Sequence, residues 1–348
     1  MQRANKKLSK QIKKHINKPI KEKAEYDGNS DKMIHTGSTL LDLAISGGRI
    51  RGGGIPSGIL VEIFGPSGSG KTVLLCEIAG DIQRQKGEIM FHDPEARLNK
   101  QFAKMFDLDT ESMSYSKPDT VPQVFEAVRS WKPENNKKIH GIMADSLAAL
   151  STDMEMEKKE GDKMGMRRAK EFTEECRKTC RILTNENLLM VCSNQVRVNV
   201  DGGQFSPKYT TPGGEAIGFY SSLRLRTLQP KKIYKEITVA GKVVKKAIGV
   251  NIEIEVFKSS VWKPYRTAPI TILFDYGIDD IRQNLQFIKD HTKNTIYTVL
   301  GENLDKSIDK SIAIIEKEGW EEKLKFETIE LWNEVEKKFD SNRKTKIR

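Results

Sequence analysis

Apolar and polar positions along the chain predict strands and helices that alternate from about Ile34 onward. Short apolar runs predict buried strands at residues 59–64, 89–91, 139–144 and 188–193. Segments with helical spacing of their apolar residues lie between and after them, at residues 73–82, 120–131 and 163–185. Strands that alternate with helices are typical of a parallel sheet covered by helices. The pattern therefore predicts an α/β fold with a mostly parallel central sheet.

The two ends of the chain depart from this alternation. Residues 1–24 are strongly basic, and a narrow apolar stripe of Leu8, Ile12 and Ile16 predicts a helix that docks on its own core or on a neighbouring subunit. Residues 250–258 and 268–274 alternate like antiparallel strands, and charged helices follow.

We therefore divide the chain into three parts. They are a basic helix with its linker at residues 1–33, a core at residues 34–282, and a small helical lobe with a basic tail at residues 283–348.

Composition limits the class of protein. The chain has 348 residues, of which 37% are hydrophobic and 31% charged, and no apolar run approaches the roughly 18 residues that span a bilayer. We expect a cytoplasmic protein with reduced cysteines and no membrane partner. Cys176 and Cys180 share a predicted helix face, but no second Cys or His pair lies nearby to complete a metal site. The formal net charge of +11 favours a polyanionic partner, although a solvated lysine surface has the same composition.

One motif carries most of the chemical information. The residues Gly65, Pro66, Ser67, Gly68, Ser69, Gly70, Lys71 and Thr72 fit G-x-x-x-x-G-K-[ST] between a predicted strand and a predicted helix. In this arrangement backbone N–H groups and the helix dipole attract a phosphate chain. Lys71 is expected to reach the β- and γ-phosphates, and Thr72 to place its hydroxyl on Mg²⁺. The motif predicts a nucleotide-binding protein.

Acidic residues follow two of the neighbouring predicted strands. Asp145 ends an apolar strand, where a phosphate loop needs a carboxylate to hold Mg²⁺ directly or through water. Glu95 follows another strand and is a candidate for orienting the water that attacks the γ-phosphate. On spacing alone Glu95 is an ordinary turn residue, and His92 and Asp93 compete with it for this role.

A third strand end leads into a loop suited to nucleic acid. Gln195 closes the strand, and its amide could hydrogen-bond a γ-phosphate. Residues 196–214 follow, with cations, an aromatic residue and flexible glycines: Arg197, Phe205, Lys208, Gly213 and Gly214. Cations meet phosphates and aromatic side chains stack on bases in single-stranded DNA sites, but an ordinary mobile surface loop has similar composition.

An ordered series of segments resembles the RecA-type DNA strand-exchange recombinases, a family that includes bacterial and phage proteins. The resemblance extends from about Thr36 to Ile278 and depends on residues 36–38, 41–42, 61–72, 91–98, 117–120, 145–150, 164–165, 194–197, 213–214 and 219–220. It implies a RecA-like P-loop core and an ATP- and Mg²⁺-dependent enzyme. It also implies a homo-oligomeric helical filament on single-stranded DNA that exchanges strands with double-stranded DNA, with DNA-stimulated ATP hydrolysis.

The resemblance also assigns roles to residues. Glu95 matches the catalytic glutamate, Phe102 the aromatic side chain that stacks on adenine, and Gln195 the γ-phosphate sensor that couples ATP to DNA affinity. Lys258 matches a lysine that reaches the ATP of the neighbouring subunit. Two DNA-binding loops are implied, at residues 158–164 and 196–214. Their DNA-binding residues, with one on the helix after the first loop, are Lys158, Lys159, Lys163, Met164, Arg168, Arg197, Phe205, Lys208, Gly213 and Gly214.

The chain departs from the family pattern at two informative places. Bacterial members have a second lysine two residues after the one matched by Lys258, where this chain has Ser260, so Lys263 or Arg266 is a candidate substitute. The basic end of the chain stands where bacterial members usually have an acidic tail, which leans toward a phage-encoded or divergent member. Three alternatives stay open: a hexameric helicase on the same core, a recombination mediator that seldom hydrolyses ATP, and a metabolic kinase.

Overall fold

The computed structural model describes residues 32–47, 50–135, 137–152, 164–198, 209–210, 215–341 and 343, which fall in one compact unit, Lys32–Arg348. For residues 164–167, 197–198, 209–210 and 215 it describes the backbone only. The predicted N-terminal helix lies outside the described residues, and the three-part division of the chain stays a prediction. In the described ranges no helix is both long and apolar enough to cross a bilayer.

A large twisted sheet organises the chain. Among the described residues, its ten strands are β1 (Leu60–Gly65), β2 (Ile89–His92), β3 (Ser114–Ser116), β4 (His140–Ala144), β5 (Leu188–Gln195), β8 (Leu223–Thr227), β9 (Lys231–Val239), β10 (Lys242–Ser259), β11 (Thr267–Leu273) and β12 (Gly277–Ile278). Two short strands, β6 (Arg197–Val198) and β7 (Tyr209–Thr210), pair with each other outside this sheet. The strands predicted at residues 59–64, 89–91, 139–144, 188–193 and 268–274 are confirmed to within about two residues at each end, whereas the strand predicted at residues 250–258 begins eight residues earlier, at Lys242.

Strand order explains why residues distant in sequence meet at one edge. The order is β12-β11-β10-β8-β1-β5-β4-β2-β3, with β9 paired to β10. The pairs from β8 through β3 are parallel, and the pairs that join β8, β10, β11 and β12 are antiparallel. Gly65 of β1 pairs with Gln195 of β5, so the carboxyl ends of these strands share one edge.

Helices cover both faces of the sheet, as the alternation predicts. They are α1 (Thr39–Ser46), α2 (Lys71–Arg84), α3 (Lys100–Lys104), α4 (Val121–Ser130), α5 (Met164–Asn185) and α6 (Glu215–Tyr220). On one face Leu74, Ile78 and Ile82 of α2 pack against Val61 and Ile63 of β1. On the other face a second apolar cluster joins the sheet to α4, α5 and α6 through Phe125, Phe172 and Ile217. The parallel α/β fold is confirmed.

The C-terminal part is helical with one small hairpin. Its elements are α7 (Asp280–His291), β13 (Thr298–Val299), β14 (Glu302–Asn303), α8 (Ile308–Glu318) and α9 (Glu321–Lys338). Apolar side chains from all three helices form a separate cluster, with Leu285, Ile288, Ile315 and Leu324 at its centre. Gly319, with φ of 62°, ends α8 in the left-handed conformation that favours glycine.

Candidate phosphate-binding site

The loop between β1 and α2 needs glycine at both of its ends. A Cβ on Gly65 would lie 2.0 Å from the Thr227 hydroxyl oxygen at the end of β8. Gly70 has φ of 76°, and a Cβ there would lie 2.5 Å from Ile272. Ser69 fixes the loop between them, because its hydroxyl donates to the Pro66 carbonyl at 2.7 Å. The predicted phosphate loop therefore has the strand–turn–helix setting that gives the motif its meaning.

Lys71 begins α2, and its ammonium lies inside the loop. Its Nζ donates to the carbonyl oxygens of Gly65 at 3.2 Å and Pro66 at 2.8 Å. Burial lowers the pKa of Lys71, whereas the negative charges of Asp145 and Glu95 raise it. A cation that is partly desolvated favours a further negative charge beside it. The loop therefore fits the polyphosphate of a nucleotide.

Thr72 and Asp145 form a compact set of oxygen atoms next to the loop. The Thr72 hydroxyl donates to Asp145 Oδ2 at 2.6 Å, and the Ser193 hydroxyl at the end of β5 donates to Asp145 Oδ1. Burial raises the pKa of Asp145, although these two hydrogen bonds lower it. A nearby cation would stabilise the ionised form of the buried Asp145 carboxylate. Together with the Thr72 hydroxyl, this carboxylate provides the oxygen ligands that Mg²⁺ prefers.

Glu95 faces the same space from the segment after β2. Its Oε1 accepts a hydrogen bond from the Ser146 hydroxyl at 2.8 Å, and its Oε2 lies 2.6 Å from Arg97 Nη1. The side chain is 15% exposed, so it is held in place and still reachable.

The two competing candidates point elsewhere. The His92 ring binds the Ser116 hydroxyl at 2.7 Å, and burial lowers its pKa to about 4. The Asp93 carboxylate accepts hydrogen bonds from the Leu98 backbone at 2.8 Å and the Tyr115 hydroxyl at 2.9 Å. Both side chains are buried, and neither lines the cavity described next.

A cavity of about 320 Å³ brings the predicted residues together. Its polar wall is formed by the loop and the strand ends: Ser67, Gly68, Ser69, Gly70, Lys71, Thr72, Glu95, Asp145 and Gln195. Its apolar wall contains Phe102, Val250, Ile272 and Phe274, and the stacking of Phe102 on a base stays a prediction. A polar end for phosphates and an apolar end for a base suit a nucleotide.

Some residues of this cavity were not predicted. The hydroxyls of Ser146 and Ser193 donate hydrogen bonds to Glu95 and Asp145, and Phe274 contributes to the apolar part of the cavity lining. Ser146 directly follows Asp145 and Ser193 ends a predicted strand, so their positions gave a weak signal. The position of Phe274 beside the phosphate loop depends on strand order, which the sequence alone does not reveal.

The basic residues predicted for cross-subunit contact have partners in their own chain. Lys258 Nζ donates to the carbonyl oxygens of Gly218 at 2.9 Å and Phe219 at 2.8 Å, at the end of α6. Burial lowers the pKa of Lys258, and the nearby Arg224 adds to that effect. The two candidate substitutes contact the last helix and the residues after it, since Lys263 pairs with Asp340 and Arg266 with Glu336.

Most of the predicted DNA-binding residues lie outside the described residues. These are Lys158, Lys159, Lys163, Phe205, Lys208, Gly213 and Gly214. Met164 begins α5 and Arg197 begins β6, with only their backbones described. Arg168 lies in the first turns of α5, and its Nη2 donates to the Ala148 carbonyl at 3.2 Å. The DNA-binding assignments therefore stay predictions.

The fold and the cavity define an α/β nucleotide-binding protein of the P-loop class. The family model for the RecA N-terminal domain matches residues 2–279. The chain is 34% identical over 252 residues to the Protein RecA of Thermus aquaticus, an alignment that covers 72% of this chain and 69% of that protein. It is 34% identical to the Protein RecA of Borrelia hermsii, over 72% of this chain and 67% of that protein. Against the Protein RecA of Delftia acidovorans the identity is 32%, over 71% of this chain and 63% of that protein. The chain belongs to the RecA family.

Proposed function

We propose that this protein is an ATP-dependent DNA recombinase. It forms filaments on single-stranded DNA, pairs that strand with homologous double-stranded DNA and exchanges strands, and DNA stimulates its ATP hydrolysis. The observation that carries the proposal is the convergence of Lys71, the Thr72–Asp145 pair, Glu95 and Gln195 on one cavity in a RecA-family chain.

Nucleotide binding rests on the two ends of the cavity. The backbone N–H groups of residues 67–72 and the Lys71 ammonium bind the phosphates, and Phe102 packs against the base. Thr72 and Asp145 are the residues that would hold Mg²⁺, which neutralises charge on the phosphates. Ser193 fixes the orientation of the Asp145 carboxylate through its hydrogen bond.

Glu95 is the proposed catalytic residue. Its carboxylate orients the attacking water and accepts its proton, and this contribution is typically about 10²- to 10⁴-fold in rate. Ser146 and Arg97 each contact a different oxygen of this carboxylate and so restrict its rotation. The entropy of orienting the Glu95 side chain is therefore already lost before the substrate binds.

Coupling to DNA rests on Gln195. It ends β5 beside the phosphate loop, and the predicted DNA loop at residues 196–214 begins at the next residue. A γ-phosphate bound to the Gln195 amide would change the position of the start of that loop. Lys258 is proposed to approach the ATP of a neighbouring subunit, and head-to-tail contacts that do not close produce a helical filament.

Strand exchange between a circular single strand and a homologous linear duplex tests the proposal. We expect joint molecules and nicked circles with ATP and Mg²⁺, and none with ADP. Electron micrographs of the same mixtures separate open filaments from the closed rings of a helicase. A protein that binds both DNA and ATP but yields no joint molecules would be a mediator, which would refute the proposed activity.

A further inference from the structure

A buried carboxylate lies in the strand that leads to the phosphate loop. Glu62 of β1 has a side chain that is 0% exposed, in a run of otherwise apolar residues. Its Oε1 accepts a hydrogen bond from Asn194 Nδ2 at 3.0 Å, and its Oε2 accepts one from Arg224 Nε at 2.6 Å. Glu62 therefore connects β1 to both of its neighbouring strands, β5 and β8.

Asn194 connects this carboxylate to the proposed γ-phosphate sensor. It precedes Gln195 in β5, and its Oδ1 accepts a hydrogen bond from the Gln195 backbone N–H at 3.0 Å. The Asn194 side chain is fully buried, so its amide orientation is set by protein groups. Two consecutive hydrogen bonds therefore connect Gln195 to Glu62.

Arg224 connects the same carboxylate to α6. Its guanidinium lies 4.5 Å from the centre of the Phe64 ring, directly before the phosphate loop, and 5.3 Å from that of Phe257. A Cβ on Gly218 would lie 2.9 Å from Arg224 Nη1, so the guanidinium packs directly on the backbone of α6. Lys258, which pairs with Arg224 across the neighbouring strand, donates hydrogen bonds to the carbonyl oxygens of Gly218 and Phe219 in the same helix.

The two partners of Glu62 contact residues on either side of one sequence segment, Gln195 before it and Gly218 after it. The segment is the predicted DNA loop at residues 196–214, which begins after Gln195 and ends where α6 begins. Gln195 and Gly218 are both connected, through Asn194 and Arg224, to one carboxylate on the strand that leads to the phosphate loop.

We propose that Glu62 is a positioning residue that couples the nucleotide state of the cavity to DNA affinity. The inference rests on the proposed function. A change of contact at Gln195 shifts Asn194, and the Glu62–Arg224 pair transmits the shift to α6, so that both ends of the DNA loop move together.

Stability alone is a poor explanation for this ion pair. Two charges taken out of water lose hydration that their attraction barely repays, and apolar replacements are often equally stable. In some proteins a buried polar or ionic pair selects one arrangement of its neighbouring elements, and coupling between two sites requires an element with discrete arrangements. Its location between the two loop ends matches that role.

The test compares Glu62→Gln with the matched control Glu175→Gln. Glu175 is also a buried partner of an arginine, Arg129, on the same face of the sheet, but it joins α4 to α5 and does not line the cavity. For the full-length protein, the affinity for a labelled oligothymidine is measured at fixed salt with ADP and with a non-hydrolysable ATP analogue. The dissociation constant for DNA with ADP, divided by the dissociation constant with the ATP analogue, measures the coupling. Loss of stability alone does not change this ratio.

We expect Glu62→Gln to lower this ratio at least about fivefold, while its DNA affinity with ADP and its nucleotide affinity without DNA stay within about twofold of wild type. Glu175→Gln should keep the wild-type ratio. An unchanged ratio in Glu62→Gln overturns the proposal, and so does an equal fall in both variants, which would mean general loosening of the fold. If Glu62→Gln does not fold, Arg224→Lys replaces it in the test, and the same fall in the ratio is expected. This variant keeps the positive charge but loses the planar contact with Phe64. A wild-type ratio of one would instead refute the nucleotide-dependent DNA binding of the proposed function.

Discussion

The glutamate at position 77 gives a stability prediction that can be worked out from the structure. Glu77 lies on α2, the helix that begins at Lys71, and its carboxyl group packs against backbone: a Cβ on Gly37 would lie 2.9 Å from it. Burial raises the pKa of Glu77 from 4.5 to about 7, with small additions from Asp280 and Asp81. Arg84 and a backbone hydrogen bond from Ile278 act in the opposite direction but do not cancel the effect of burial.

The sign of the pH dependence follows from the raised pKa. Between pH 4.5 and pH 7 the folded protein holds a proton that the unfolded chain releases, so the free energy of unfolding falls as pH rises through this window. With a pKa of 4.5 in the unfolded chain and about 7 in the folded protein, this group lowers stability by about 2.5 kcal/mol between pH 5 and pH 8. Glu77→Gln cannot titrate, so its stability should lack this loss.

Urea denaturation of nucleotide-free protein at pH 5, 6, 7 and 8 measures this difference. The free energy of unfolding of Glu77→Gln, minus that of wild type, should increase by about 2.5 kcal/mol from pH 5 to pH 8. The control is Glu126→Gln, which changes an exposed glutamate on α4 and should run parallel to wild type. Parallel curves for Glu77→Gln and wild type would show that this carboxyl group is hydrated in solution, which would refute the reasoning.

Four further predictions concern the cavity and its proposed ligands. Lys71→Ala removes the buried cation from the phosphates and should lower kcat/KM for ATP by about 10²-fold or more; wild-type turnover would refute the phosphate-loop assignment. Glu95→Gln should lower kcat by about 10²- to 10⁴-fold, with nucleotide affinity retained in a fluorescent-analogue titration; normal turnover would move the role to another residue. Asp145→Asn should weaken Mg²⁺-dependent nucleotide binding. It should also raise the melting temperature of the nucleotide-free protein at pH 7, because burial raises the pKa of the Asp145 carboxyl and makes its ionisation costly there; a lower melting temperature would contradict this. DNA affinity with ATP should fall steeply between 50 and 200 mM salt, through release of counterions from about six or more phosphates; a flat titration, with Phe205→Ala unaffected, would contradict the loop assignment.

Features that follow from local sequence were predicted well. A phosphate loop, a helix and a buried strand are each defined by a few consecutive residues, so β1, α2 and the glycine positions between them could be predicted without knowledge of the fold. Parallel strands place their carboxyl ends at one edge, which explains why Asp145, Glu95 and Gln195 could be grouped on sequence alone. Sequence spacing did not distinguish His92, Asp93 and Glu95, and only the family resemblance favoured Glu95; the structure separates them by burial, because His92 and Asp93 are buried away from the cavity that Glu95 lines.

The C-terminal edge of the sheet was predicted less completely. Residues 231–247 form most of a long antiparallel hairpin, β9 with the first part of β10, in which lysines alternate with exposed apolar side chains. Apolar residues such as Tyr234, Ile237 and Val243 are about half exposed or more, so burial does not impose a clear period on the segment. The two strands pair across a two-residue turn at Ala240 and Gly241, so the element is local in sequence, but its exposed apolar residues give no clear burial period that would reveal it.

Glu62 shows the same limit at the site itself. An acidic residue inside a buried apolar strand needs a buried partner, because an unpaired charge there is very costly. The sequence contains this signal, and Arg224 gives a second one inside β8. The two residues are 162 positions apart, and they pair because β8 lies directly beside β1 in the sheet. Local periodicity does not reveal which strand is adjacent to which, so the partner of Glu62 is identified only when the strand order is known.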